Sequence, residues 1–190
     1  ESIAAASFGA RAKDPERDHV VLCAVEHSAV RDWAARGHHT EVGVDDLGRV
    51  DPDELMSAVG PRTALVHLQW GNHEVGTLQP VRAVVDRCRE MGVLVHVDAA
   101  QAVGRAEVAF TELGADLMSV SGHKFGAPPG TGALLVRRGL RLESLLVGGD
   151  QERARRAGME NVPSLVGMGA AADEVTGSWT TEAEHQRSLT

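Results

Sequence analysis

Residues 121–136 read SGHKFGAPPGTGALLV and join two apolar runs, 116–120 and 133–136, through a loop rich in glycine and proline. Lys124 lies in this loop, and the only other lysine of the chain is Lys13. Arginine keeps its proton, whereas a desolvated lysine amine can lose its proton and attack a carbonyl group. In a chain that otherwise carries its positive charge on arginine, a lysine at a strand end predicts nucleophilic chemistry at that position.

Outward from this stretch, short apolar runs alternate with helical patterns. The predicted strands are 19–26, 39–44, 63–69, 93–97, 116–120 and 133–136. The predicted helices are 2–12, 29–37, 51–60, 81–91 and 163–175. Near-continuous apolar strands separated by helices are typical of a sheet that is covered on both faces. The pattern therefore predicts an α/β fold whose sheet is mostly parallel and lies between layers of helices.

Composition narrows the function classes. The chain has 190 residues, of which 43% are hydrophobic and 24% charged, enough for a single domain spanning residues 1–190. Its formal net charge of −8 argues against nucleic acid and anionic membranes as partners. No apolar run approaches the ~20 residues that span a bilayer. Cys23 and Cys88 have no CxxC spacing, which favours reduced thiols in the cytoplasm.

The two ends of the sequence indicate a fragment. The chain starts with Glu1 rather than methionine, and its last residues stop inside a polar helical pattern without a cap. We therefore expect a domain that is truncated at both ends.

Polar side chains collect at the carboxyl ends of the predicted strands. These residues are His27, Asn72, Asp98, Ser121, His123 and Lys124. In a parallel sheet the strand ends meet at one edge, and ligands bind just outside it. The pattern therefore predicts one common site at this edge.

Each of these residues, taken alone, also fits a structural role. Asp98 could cap the turn that follows it, and Asn72 could occupy a turn with a left-handed backbone. Ser121 could cap a helix or turn, while His27 and His123 could be ordinary loop or surface histidines. Nine histidines are present without HxxxH or CxxC spacing, so we predict no metal site. A nucleotide site is disfavoured too, because no GxGxxG or GxxxxGK[ST] motif follows a strand.

Five runs carry a resemblance to a known family. They are EHSAV (26–30), NHEVGTLQP (72–80), HVDAAQAVG (96–104), SGHKFGAPPGTGAL (121–134) and GGDQERARRAG (148–158). In order and spacing they resemble the cysteine desulfurases of the class V aminotransferase group, which depend on pyridoxal 5'-phosphate. The resemblance implies the large domain of the aspartate-aminotransferase-like architecture known as fold type I.

The resemblance also implies roles for individual residues. Lys124 would hold the cofactor covalently, and Asp98 would pair with its pyridinium nitrogen so that the ring can accept electrons. His27 would stack on the ring and shuttle protons. Lys124 and His27 are therefore the catalytic candidates.

The remaining cofactor contacts follow from the same resemblance. Gln101 and Asn72 would bond the phenolic oxygen of the ring, while Ser121 and His123 would hold the phosphate.

The sequence departs from the family in several places. Met159 stands where the family has a threonine that reaches the phosphate of the partner subunit. The family's phosphate-binding glycine/threonine turn would precede Glu1. Its catalytic cysteine loop and its arginine for the substrate carboxylate would follow the last residue. Cys23 and Cys88 match neither position and read as a strand and a helix residue.

The resemblance thus implies conversion of L-cysteine to L-alanine, with the sulfur leaving as a persulfide for iron–sulfur cluster assembly or thiolation. It implies a homodimer and a sulfur-acceptor protein as partners. A selenocysteine lyase, or another C–S lyase of the group, would share these motifs. A truncated scaffold without catalysis is an alternative outside the enzymes. We expect the chain to be inactive by itself, because the sulfur-accepting half of the mechanism is missing.

Overall fold

The computed structural model describes residues 1–189 and contains six strands and seven α-helices. The strands are β1 (His19–Cys23), β2 (His39–Val42), β3 (Thr63–Gln69), β4 (Leu94–Asp98), β5 (Leu117–Ser121) and β6 (Gly132–Val136). The helices are α1 (Ser2–Lys13), α2 (Ser28–Ala34), α3 (Pro52–Ser57), α4 (Val81–Glu90), α5 (Phe110–Leu113), α6 (Gln151–Ala154) and α7 (Val162–Ser188). A 3₁₀-helix, Gly122–Phe125, directly follows β5.

The strands form one sheet in the order β2-β1-β3-β4-β5-β6. Strands β1 to β5 are parallel, and β6 runs antiparallel to β5. The mostly parallel α/β fold expected from the sequence is confirmed.

The sheet is buried on both faces, so β3 at its centre has all seven residues buried. Helices α3 and α4 cover one face, where Val66 and Leu68 pack with Val84 and Val85. Helices α1 and α2 cover the other face. Because side chains alternate along a strand, the face toward α1 and α2 carries His67, Gln69, His96 and Asp98 among its apolar residues. This buried polar row leads up to the carboxyl edge of the sheet.

Local sequence signals explain several helix ends. The Asp51 carboxylate accepts a hydrogen bond from the Asp53 amide at 2.7 Å, and Pro52 occupies the first turn of α3. Gly92, with φ of 65°, follows α4 in the left-handed conformation that ends helices. Both features match the sequence prediction.

Some predicted boundaries were wrong. The last helix runs from Val162 to Ser188 instead of ending at residue 175. Threonine and serine often interrupt helices, but the helix continues through Thr176 and Ser178. Their hydroxyls donate hydrogen bonds to the helix carbonyls of Ala172 and Glu174. The first strand ends at residue 23 rather than 26, the second ends at 42 rather than 44, and the fifth is shifted by one residue. Helices α5 and α6 were not predicted.

Candidate active site

The carboxyl ends of the parallel strands open into a cavity of about 960 Å³, a size typical of small-molecule sites. Six of the seven residues predicted from the sequence line it, namely His27, Asp98, Gln101, Ser121, His123 and Lys124. The first residues of α1 contribute to the wall as well. The structure thus brings residues from widely separated parts of the chain to one place.

Asp98 is the last residue of β4 and is only 7% exposed. Its Oδ1 accepts hydrogen bonds from the Ser119 hydroxyl at 2.8 Å and from the Ala100 amide at 3.1 Å. The second bond is the turn cap considered as a structural alternative. Asp98 therefore caps a turn and also lines the cavity. Two donors aimed at one oxygen stabilise a negative charge on this carboxyl group.

Lys124 lies in the 3₁₀-helix after β5, with an exposed side chain on the cavity wall. Its backbone carbonyl accepts a hydrogen bond from the Arg105 guanidinium at 3.0 Å. Gly122 begins the same turn, and a Cβ there would overlap the hydroxyl of Thr131 and approach Ala127 Cβ to 3.0 Å. The lysine is therefore carried by a short, closely packed turn.

Ser121 directly precedes this turn, His123 is part of it, and both line the cavity. The Ser121 hydroxyl and His123 Nδ1 lie 3.1 Å apart in a hydrogen bond. The amino-terminal end of α1, including Ser2, lines the same cavity. Helix amino termini favour anions because their amides are unpaired and carry partial positive charge. The cavity thus contains groups that can bind a phosphate.

His27 caps α2: its Nδ1 accepts a hydrogen bond from the Ala29 amide at 3.1 Å. In the neutral ring the proton is therefore on Nε2. The ring lies 5.4 Å, centroid to centroid, from the ring of His73, which also lines the cavity. His27 therefore both caps α2 and lines the cavity.

Asn72 is the predicted residue that does not line the cavity. Its Oδ1 accepts from the amides of Glu74 and Val75 at 2.9 Å, and its Nδ2 donates to the Val25 carbonyl at 3.3 Å. These contacts agree with the alternative in which Asn72 is a turn residue. A bond from Asn72 to a cofactor stays a prediction, and the neighbouring His73 occupies the wall instead.

Sequence reasoning missed Glu26 and Gln69. Glu26 is 4% exposed, and its Oε1 accepts a hydrogen bond from the backbone amide of Gln69 at 2.6 Å. Burial, together with the nearby charge of Asp98, raises the pKa of Glu26 to about 8. An acidic residue at the end of an apolar run was the available signal.

A second buried polar group lies one layer below Asp98. His67 and His96 are in register on β3 and β4, and their Nδ1 atoms are 2.8 Å apart. The Ser7 hydroxyl contacts His67 Nε2 at 2.8 Å. Burial lowers the pKa of His67 well below its usual value and that of His96 to about 4, so both rings are neutral near pH 7.

Cys23 and Cys88 are both buried. Burial raises the pKa of each thiol to about 12. Because the thiolate is the reactive form, neither cysteine is poised to act as a nucleophile.

The residues present fit pyridoxal phosphate. The buried Asp98 carboxylate suits a cationic ring nitrogen, and the amine of Lys124 suits an aldehyde carbon. The Ser121 hydroxyl, His123 and the amino terminus of α1 suit a phosphate. Within residues 1–189 no cluster of three or more His, Cys, Asp or Glu side chains could hold a metal ion. No helix in this described range is long and apolar enough to cross a bilayer.

Curated proteins similar to this chain are cysteine desulfurases. The one from Bradyrhizobium diazoefficiens is 44% identical over 174 residues, which is 89% of this chain and 44% of that protein. The one from Gluconacetobacter diazotrophicus is 47% identical over 163 residues, or 83% of this chain and 41% of that protein. The chain thus spans less than half the length of these relatives.

Solved structures give the same picture. A NifS-like protein superposes with a TM-score of 0.93 at 33% identity, covering 99% of this chain and 54% of that one. DndA from Streptomyces lividans superposes with a TM-score of 0.83 at 33% identity, covering 95% and 54%. SspA in complex with cysteine has a TM-score of 0.86 at 29% identity, covering 90% and 52%. The family description Aminotransferase class-V matches residues 1–190. By this match over its whole length, the chain belongs to the class V aminotransferase family.

Proposed function

We propose that the protein containing this chain is a pyridoxal-phosphate-dependent cysteine desulfurase that converts L-cysteine to L-alanine and passes the sulfur on as a persulfide. The observation that carries the proposal is the meeting of Asp98, held by Ser119, with Lys124 in one cavity. Relatives named cysteine desulfurase, and a neighbour whose structure is described in complex with cysteine, support the choice of substrate.

Each residue has a distinct task in this proposal. Lys124 would hold the cofactor covalently, and Asp98 would pair with its ring nitrogen. His27 would lie against the cofactor and move protons through Nε2, because its Nδ1 is engaged in capping α2. Ser121 and His123 would bind the phosphate. When bound, the cofactor supplies an electron sink that weakens the Cα–H bond of the amino acid.

The sulfur-accepting thiol comes, in this proposal, from another part of the protein. Cys23 and Cys88 are buried and protonated, so they cannot take sulfur from the substrate. The intact protein is proposed to work as a cytoplasmic homodimer that delivers sulfur to an acceptor protein for iron–sulfur cluster assembly or thiolation. Met159 is 91% exposed on the cavity rim and offers no hydroxyl for a partner subunit's phosphate.

The test is a titration of the purified protein with pyridoxal phosphate, followed by its visible absorption band. We expect the band in the wild type and in Lys13→Ala, which removes the other lysine at an exposed position on α1. We expect no band in Lys124→Ala. Equal bands in all three proteins would contradict the assignment of Lys124.

Turnover tests the substrate separately. With L-cysteine and a thiol reductant, which reduces the persulfide and releases its outer sulfur as sulfide, the intact protein is expected to produce alanine and sulfide, and the isolated 190-residue chain is expected to produce neither. A parallel assay with L-selenocysteine distinguishes a selenocysteine lyase. Turnover of selenocysteine alone would overturn the desulfurase assignment but leave the cofactor site intact.

A further inference from the structure

Two buried carboxyl groups lie at the carboxyl edge of the sheet, Asp98 at the end of β4 and Glu26 in the loop after β1, and their hydrogen-bond partners differ. Asp98 is 7% exposed and has two donors on one oxygen, the Ser119 hydroxyl and the Ala100 amide. Glu26 is 4% exposed and has one donor, the Gln69 amide, on Oε1. Its Oε2 is buried without a hydrogen-bond partner. If one of the two groups carries a proton, the partners favour Glu26 as that group.

Glu26 has a defined place in the backbone of the sheet. Strand β1 ends at Cys23, and the last pair in register between β1 and β3 is Leu22 with His67. Gln69 lies two residues further along β3, and its backbone N–H points toward β1 in the same way as that of His67. Strand β1 has already ended there, so no strand carbonyl is available to accept this N–H. The Glu26 carboxyl group takes the position of the missing carbonyl. It thereby ties the loop between β1 and α2 to the end of β3.

The loop tied in this way carries a cavity residue. His27 follows Glu26 directly and begins α2 as its cap. A second bond holds the same loop, because Gln69 Nε2 donates to the Val25 carbonyl at 2.7 Å. A displacement of Glu26 would therefore move His27 relative to Asp98.

The surroundings of Glu26 offer little to stabilise a negative charge. Asp98 acts on it from β4 as a like charge, and Cys23 at the end of β1 carries a neutral thiol. Below Asp98, on its face of the sheet, His67 and His96 are neutral rings. Burial is the largest cause that raises the pKa of Glu26, followed by the opposing effect of the Gln69 amide and then by Asp98.

We propose that Glu26 is a positioning residue that works as a neutral carboxylic acid, holding His27 in place and leaving Asp98 as the charged partner of a cationic ring. The reference to a cationic ring rests on the proposed function. The protonation of Glu26 rests on its burial and partners alone. A proton on Oε2 also removes the cost of a buried, unpaired anion beside Asp98.

Ionisation of Glu26 lowers the stability of the folded protein. Its pKa is about 8 in the folded protein against 4.5 for the free side chain, so the folded state holds the proton more tightly. The resulting stabilisation is full below the unfolded pKa and is lost as the pH rises through the folded pKa. Glu26→Gln mimics the neutral acid and is expected to remove this loss.

The first experiment measures protonation without reference to a cofactor. In infrared spectra of the intact protein near pH 7, we expect a carboxylic-acid carbonyl band that disappears in Glu26→Gln and fades above about pH 8. In urea unfolding between about pH 5 and pH 8, the midpoint of the wild type should fall relative to that of Glu26→Gln. The control, Glu54→Gln, changes an exposed glutamate of α3 and should follow the wild type. A wild type without the carbonyl band, whose midpoint tracks Glu26→Gln at every pH, overturns the proposal.

The second experiment measures positioning. Glu26→Gln keeps an acceptor for the Gln69 amide and should bind pyridoxal phosphate like the wild type, while Glu26→Ala should bind it about tenfold more weakly. Equal binding by both variants would show that Glu26 does not position the site. If the wild type lacks the Lys124-dependent band but keeps the carboxylic-acid signal, the proposed function fails and the protonation of Glu26 stands.

Discussion

At the scale of single residues, Asp98 shows why a structural and a functional role need not exclude each other. Its position at the end of β4 lets Oδ1 cap the following turn through Ala100 while the carboxyl group lines the cavity. Ser119 supplies the second donor from the adjacent strand. His27 combines capping and a place on the cavity wall in the same way. At strand ends in this fold, a good cap is also a group well placed for chemistry.

Asp98→Asn tests the charge of this residue. Asparagine keeps an oxygen for Ser119 and Ala100 but cannot pair with a ring cation. We expect affinity for pyridoxal phosphate to fall about ten- to hundredfold, since a hydrogen bond to a charged group contributes roughly 1.5–3 kcal/mol. Absorption titration of the intact protein measures it. Asp86→Asn, a change at a partly exposed position on α4 that does not line the cavity, is the matched control, and an equal effect in both variants would argue against a ring contact at Asp98.

The two cysteines give a second prediction at this scale. With pKa values raised to about 12, the thiols of Cys23 and Cys88 should resist alkylation in the folded protein near pH 8 and react readily in urea. Mass spectrometry of the two peptides after iodoacetamide treatment measures the modified fraction. Rapid modification of either thiol in the native protein would contradict its burial and reopen it as a sulfur acceptor.

At the scale of elements, the 3₁₀-helix after β5 determines where Lys124 lies. Gly122 leaves no room for a side chain, because a Cβ would meet Thr131 and Ala127. Gly126 closes the turn with φ of 91°, a conformation that other residues avoid. The glycines of this loop thus allow the tight turn that fixes the position of Lys124.

Gly122→Ala should disturb this support. Overpacking typically costs about 1–3 kcal/mol, and here it acts on the turn that carries the candidate nucleophile. We expect a lower urea midpoint and a weaker cofactor band. Gly169→Ala in α7 is the control, because its Cβ would meet open space and alanine favours a helix by about 1 kcal/mol. A cofactor band unchanged in Gly122→Ala would show that the turn tolerates the added methyl group.

The sequence predicted elements well where one strong local signal was present. Asp51 with Pro52 marked the start of α3, and Gly92 marked the end of α4. It failed in α7, where hydroxyl residues that often interrupt a helix bond back to the helix carbonyls four residues earlier and the helix continues. Glu26 was missed because its role depends on Gln69, 43 residues away, and on how β1 ends beside β3. Such a pairing has no local signature.

At the scale of the whole molecule, the parallel sheet gathers the site because every parallel strand ends at the same edge. The same geometry creates the buried polar row on the face toward α1 and α2. His67, His96 and Glu26 all lie away from water, and burial lowers the pKa of the two histidines and raises that of Glu26. The apolar core stabilises the fold, and this row makes its stability depend on pH.

That dependence is a final prediction. The pKa of His96 is about 4 and that of His67 lies well below 6.5, so the folded state binds fewer protons than the unfolded state in this window. Their contribution is therefore present above the unfolded pKa and is lost as the pH falls toward 4. In the intact protein we expect the urea midpoint to drop between about pH 6.5 and pH 5. The double variant His67→Gln, His96→Gln should have a lower urea midpoint than the wild type at about pH 6.5. Its midpoint should then fall less than that of the wild type as the pH drops to about 5. His39→Gln, at a partly exposed position on the edge strand β2, should keep the wild-type slope, and the same slope in all three proteins would place the acid sensitivity elsewhere.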